Sequence, residues 1–252
     1  MNNQNYRSLK QSIILTFVIG GLSHLFAYGN LMVSNDSLAE FYASGRWPKA
    51  YLGRFFYSFY VSVARGKIVV PWLIGCLSLL WCSLAVYFIV CIFKIKNQSM
   101  LFLIAGICVT NPTVYALTAT YIHDLDADLF AMLLAVFAVY LWDWASNNLN
   151  WRSSLKYFFI GSIVLSVSLG IYQSYISVAI SLIIMKCIYE VFEKNNFQNT
   201  LVKGLWGVMM LLLAAIFYLA EVNVFQRITG ISMLDNNSYN GLGNIQQIFD
   251  GN

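Results

Sequence analysis

The stretch 121-YIHDLDADLF-130 packs His123, Asp124, Asp126 and Asp128 into six residues. Asp-x-Asp sets two hard carboxylates where they can share a divalent cation such as Mg²⁺ or Mn²⁺. On a helix, Asp124 and Asp128 would instead align on one face. A short acidic loop that is simply solvated has the same pattern. Three acids beside a bilayer are costly to desolvate, however, and that weighs toward function. A second acidic pair, Asp36 and Glu40, stands in 34-SNDSLAEFYASGRWPKAYLGR-54, directly after a long apolar run. If 36–44 is helical, both acids share one face while Leu38, Phe41 and Tyr42 cover the other. Ser34 or Asn35 would cap that helix, Gly45 would end it, and Trp47 and Pro48 would anchor its exit. It is either a helix lying in the interface plane or a solvated amphipathic connector.

Arg46, Lys49 and Arg54 follow the acidic pair in the same stretch. A third element, Tyr172-Gln173-Ser174, can hydrogen-bond a sugar or satisfy a tight turn. His24 reads as a polar residue satisfied between helices. Glu221 can face the same cavity as the three clusters. Carboxylates beside cations at a lipid interface suit one chemistry in particular. A carboxylate removes the proton from an acceptor hydroxyl. Cations or a metal stabilise a phosphate as it leaves. The interface admits a donor whose tail stays in lipid.

These residues need elements to hold them at one level. The 252-residue chain is 59% hydrophobic and only 10% charged, against about 25% charge in a soluble domain. Apolar runs of membrane-spanning length recur, so the chain is all-α and polytopic. Its net charge of +4 comes without a basic run, which argues against nucleic acid as a partner. Cys76, Cys82, Cys91, Cys108 and Cys187 all lie in apolar stretches and read as buried thiols. Spans are expected near 11–33, 68–93, 99–122, 127–144 and 204–224, the third kinked at Asn111-Pro112. The stretch 155–192 is too long for one crossing and divides into two helices turning at 170-GIYQSY-175. With the N-terminus inside, nine bases fall on inner segments and six on outer ones, in keeping with the positive-inside rule. Most acids then lie at the outer rim. Residues 1–225 form the transmembrane module. The polar tail 226–252 reads as the start of an outer C-terminal region that continues beyond Asn252.

Asp36 after span one, the following SGRW at 44–47, the acidic loop at 123–128 and YQS at 172–174 carry a resemblance in their order and placement. The chain resembles the O-antigen-modifying, serotype-converting membrane glucosyltransferases, which are similar to the polyprenyl-phosphate-dependent GT-C class. The similarity extends through most of 10–225. It implies a core of about seven transmembrane helices with an interfacial helix after the first, in a bacterial inner membrane with the N-terminus cytoplasmic. It implies undecaprenyl-phosphate glucose as donor, a lipid-linked O-antigen repeat on the periplasmic side as acceptor, and inversion by direct attack of the acceptor hydroxyl. Asp36 maps onto the class's base and Asp124 and Asp126 onto its second acidic site. Glu40 would orient Asp36 or bind sugar hydroxyls. Arg46, Lys49 or Arg54 would meet the phosphate, with His123, Tyr172 and Gln173 on the substrate and Asp124, Asp126 and Asp128 on a divalent cation. The chain is shorter than typical members, which bears on how the acceptor is recognised. The alternatives are an O-antigen polymerase, which would place arginines in a large outer loop, and a lipid or sugar transporter. A transporter would bury ionisable residues deep in its spans. Here the charges are expected at one rim.

Overall fold

The computed structural model describes residues 3–30, 49–66, 68–148, 150–194 and 197–231. All regular structure among them is helical. Helix α1 (Asn3–Gly29) is followed by a 3-10 turn at Ala50–Leu52 and a short helix, α2 (Phe55–Arg65). Then come α3 (Pro71–Ile92), α4 (Gln98–Thr110), α5 (Pro112–Thr120) and α6 (Leu125–Asn147). The chain continues through α7 (Trp151–Ile171), α8 (Ile176–Lys194) and α9 (Phe197–Thr229). Seven segments are long and apolar enough to cross a membrane, with α4 and α5 together making one of them. That matches the expected number and order of spans. Asp36, Glu40 and Arg46, with the expected interfacial helix at 36–44, lie outside the described residues.

Helix α6 is the centre. Its most apolar window is 72% buried, the largest share of any span, whereas that of α9 is 17% buried and presents most of its surface to lipid. It packs chiefly on α3 and α7, with α1 outside α3 and α9 outside α7. Composition explains the position. Ala127, Ala131, Ala135, Ala138 and Ala145 are all buried on α6, and small residues let neighbouring backbones come close where lipid gives no hydrophobic drive to association. The Ser168 hydroxyl of α7 donates to the Ala131 carbonyl of α6 at 2.7 Å across that contact.

The break at Asn111-Pro112 is real and its freed groups are satisfied. Asn111 Nδ2 donates to the Cys108 carbonyl at 2.8 Å, and Asn111 Oδ1 accepts from the Val114 amide at 3.0 Å. His24 Nε2 of α1 donates to the Val109 carbonyl at 2.9 Å. This is the compensation that a broken helix requires inside a bilayer, and it explains a histidine in span one. Tyr28 of α1 lies flat against Gly75 of α3, where an added Cβ would meet its ring at 2.4 Å. Tyr28, Ile74, Val114, Leu125 and Leu129 belong to one apolar cluster. The C-terminal end of α1 and the N-terminal ends of α3 and α6 therefore meet at one end of the bundle.

At the other end the structure departs from the expectation that charges sit at a single rim. Lys186 of α8 lies 3.4 Å from Asp143 of α6 and 3.7 Å from Glu190, and donates to the Ile92 carbonyl at 2.6 Å. Lys203 of α9 reaches Glu190 at 2.8 Å. Lys186, Asp143 and Glu190 are buried. Two cations and two carboxylates thus cancel, as buried charges must. Lys186 and Glu190 lie one turn apart on α8, while Asp143 reaches them from α6 and Lys203 from α9.

Candidate active site

The N-cap of α6, Asp124, and its first turn, with Asp126 and Asp128, gather three carboxylates at the positive end of the helix macrodipole, which favours them there. His123, Asp124, Asp126 and Asp128 are all buried. Each carboxylate nevertheless meets a different surrounding.

Asp124 is ion-paired with Lys49. His123 Nε2 lies 3.5 Å from the same carboxylate oxygen and 3.5 Å from Lys49 Nζ. The Tyr57 hydroxyl of α2 also bonds this carboxylate. Lys49 holds a left-handed backbone, with φ 64°, a conformation that a non-glycine residue keeps only where its surroundings fix it.

Asp126 is locked. Its Oδ2 accepts from Arg65 Nε and from the Tyr60 hydroxyl, both at 3.2 Å. Trp81 Nε1 of α3 donates to the Tyr60 oxygen at 2.8 Å. Arg65 spends its other nitrogens on the carbonyls of Ile68, at 2.8 Å, and His123. Burial and the Asp126 charge hold the Tyr60 hydroxyl far above its ordinary pKa, so it stays a donor. Tyr60, Arg65 and Trp81 were not legible as site residues. The signal available was an arginine closing the short amphipathic run 55-FFYSFYVSVAR-65, too short to span, beside an acidic loop.

Asp128 has no ion pair among the described residues, and its Oδ1 is buried without a hydrogen-bond partner. Arg54 and Lys49 are the cations near enough to act on it. Arg54 lies with its guanidinium 4.1 Å from the centre of the Tyr172 ring, and its Nε is buried without a hydrogen-bond partner. A guanidinium over an aromatic face is held in place with donors to spare. Gln173 donates to the Leu52 carbonyl at 2.8 Å and to the Tyr218 hydroxyl at 3.0 Å.

The three segments singled out in sequence therefore converge. Lys49 and Arg54, the loop from His123 to Asp128, and Tyr172 with Gln173 meet at the end of the bundle where α1 ends and α3 and α6 begin. Glu221 stands apart on α9, bonded through Oε1 to Ser166 at 2.9 Å. As for a metal, no group of three or more His, Cys, Asp and Glu side chains among the described residues is disposed to hold one. Asp124 and Asp126 each commit an oxygen to a cationic side chain, while Oδ1 of Asp124, Asp126 and Asp128 is left without a hydrogen-bond donor.

One protein family, described as Glucosyl transferase GtrII, matches residues 28–249. The chain belongs to that family. No curated protein and no solved structure matches it. The GtrII match begins in the last turn of α1 and takes in the whole convergence described above. It agrees with a glucosyltransferase resemblance carried by short motifs in order. The chain is a polytopic, GT-C-like membrane glycosyltransferase, and the buried acidic mouth with its two cations is its candidate active site.

Proposed function

We propose that this GtrII chain moves a glucosyl residue from undecaprenyl-phosphate glucose to a lipid-linked O-antigen repeat at the periplasmic face of a bacterial inner membrane, its N-terminus being cytoplasmic. The observation that carries the reading is Arg54: a half-buried side chain whose guanidinium lies over the Tyr172 ring, with a buried Nε that has no hydrogen-bond partner among the described residues. Such a cation is suited to a phosphate that gains charge as it leaves.

The acceptor hydroxyl oxygen attacks the anomeric carbon from the side opposite the phosphate. The carbon–oxygen bond to phosphate breaks, and undecaprenyl phosphate departs with the electron pair. The hydroxyl proton passes to Asp36. Inversion at the anomeric carbon follows from the single displacement. Glu40 orients Asp36 or takes sugar hydroxyls. Lys49, Arg54 and Arg46 face the phosphate, and His123 and Tyr172 line the sugar. The free Oδ1 atoms of Asp124, Asp126 and Asp128 accept from sugar hydroxyls, and a divalent cation is the other group that would satisfy them.

Arg54→Ala is expected to lower transfer of radiolabelled glucose in membranes by about 10- to 100-fold, the worth of a charged hydrogen bond. Wild-type transfer by a well-inserted Arg54→Ala protein would remove the phosphate site and with it the reading. The readout is a gain of one hexose per O-antigen repeat; a change in chain length would point to polymerisation instead. If sugar hydroxyls satisfy the acidic mouth, EDTA leaves transfer intact. Loss of transfer with EDTA, restored by Mg²⁺ or Mn²⁺, assigns the free oxygens to a cation.

A further inference from the structure

We propose that Gln173 and Tyr218 are positioning residues: they pin the turn that carries Lys49 and Arg54, and they do not touch the sugar. This rests on the donor reading above and extends it to Tyr218 of α9, a helix that the sequence connected with the site only through Glu221. Gln173 was expected on the substrate. In the structure both amide hydrogens are engaged, one with the Leu52 carbonyl at 2.8 Å and one with the Tyr218 hydroxyl at 3.0 Å. The Tyr218 hydroxyl passes the chain on, donating to the Gly53 carbonyl at 3.3 Å. Leu52 and Gly53 are adjacent, and both lie between Lys49 and Arg54.

The turn needs holding. Lys49 and Gly53 both have left-handed backbones, φ 64° and 79°, and only one short 3-10 turn lies between them. Asp124 fixes the Lys49 side chain and Tyr172 supports Arg54, but neither fixes the backbone between. Gln173 and Tyr218 do so at two successive carbonyls. Packing backs the hydrogen bonds. The Phe55 ring lies 6.0 Å from Tyr218 and 5.7 Å from Phe225 of α9. Gly170 gives the start of α2 room, since a Cβ there would come within 2.6 Å of Phe56 Cδ2. With the pin removed, the turn and its strained Lys49 can relax, and Arg54 loses its register over Tyr172. The loss falls on the lipid phosphate, whatever sugar it bears.

The test measures equilibrium binding of undecaprenyl phosphate, which carries no sugar, to the full chain in nanodiscs. Gln173→Ala and Tyr218→Phe are each expected to weaken that binding about five- to tenfold. Both raise the KM for undecaprenyl-phosphate glucose by the same factor, with a smaller change in kcat. In an Arg54→Ala background Tyr218→Phe adds little, because the two act through one contact. Monodisperse elution and an unchanged melting midpoint establish that the variants are folded. A sugar-binding Gln173 would give another pattern, with bare undecaprenyl phosphate bound as by wild type and only the glucosylated donor weakened; that pattern overturns the inference. Wild-type binding by both folded variants, with Arg54→Ala impaired, overturns it too and leaves the donor reading standing. Wild-type binding by Arg54→Ala overturns both.

Discussion

Arg65→Met is expected to destabilise the protein by about 3–5 kcal/mol, the usual cost of stripping one partner from a buried ion pair. The measurement is the thermal unfolding midpoint in detergent. Arg65 serves three acceptors from the C-terminal end of α2: the Asp126 carboxylate and the carbonyls of Ile68 and His123. Methionine fills much of the space and satisfies none of them. Asp126, with no exposed surface, would keep only the Tyr60 hydroxyl at Oδ2. The double variant Asp126→Leu, Arg65→Met should recover much of the loss, because a buried pair replaced by apolar groups is often close to neutral. Transfer should not recover with it. The Arg65 bond to the His123 carbonyl ties α2 to the loop that presents Asp124, and the double variant still lacks that tie. An Arg65→Met protein that unfolds at the wild-type midpoint would show that the pair does not hold α2 to α6.

Much of the scaffold was legible because a bilayer simplifies the code. Each span must satisfy its own backbone and offer an apolar surface, so length and composition alone mark it. Even the turn at 170–175 follows from arithmetic on helix rise. The acidic loop was legible for the converse reason, since three carboxylates have no cheap place beside lipid. Pairings between distant residues were not legible. Arg65 meets Asp126 across 61 positions and Gln173 meets Leu52 across 121, and no local pattern encodes either. Helix α2 carries no span signal in the sequence, because 11 residues cannot cross a membrane. The three aspartates looked equivalent in sequence. Their separate surroundings are set by whichever cation the fold delivers: Lys49 to Asp124, Arg65 to Asp126 and, among the described residues, no paired cation to Asp128.

Asp36→Asn is expected to cost about 10²- to 10⁴-fold in transfer, the usual worth of a general base. Asparagine keeps the size and the hydrogen bonds but cannot take the proton, so donor binding should survive while kcat falls. The flanking chain supports the assignment. Tyr28, near the end of α1, packs with the first turns of α3 and α6, and Lys49 is paired with Asp124. The segment bearing Asp36 therefore leaves and re-enters the described structure at the same end of the bundle, beside the cations assigned to the phosphate. A base must stand on the acceptor's side of the sugar and the cations on the leaving group's side, so the two effects should separate. Arg54→Ala should raise the donor KM and lower kcat, since a charged phosphate is present in both ground and transition states. Asp36→Asn should lower kcat alone. Full kcat in a well-inserted Asp36→Asn protein would move the base elsewhere. Asp128, the buried carboxylate without an ion pair among the described residues, would then be the next group to replace.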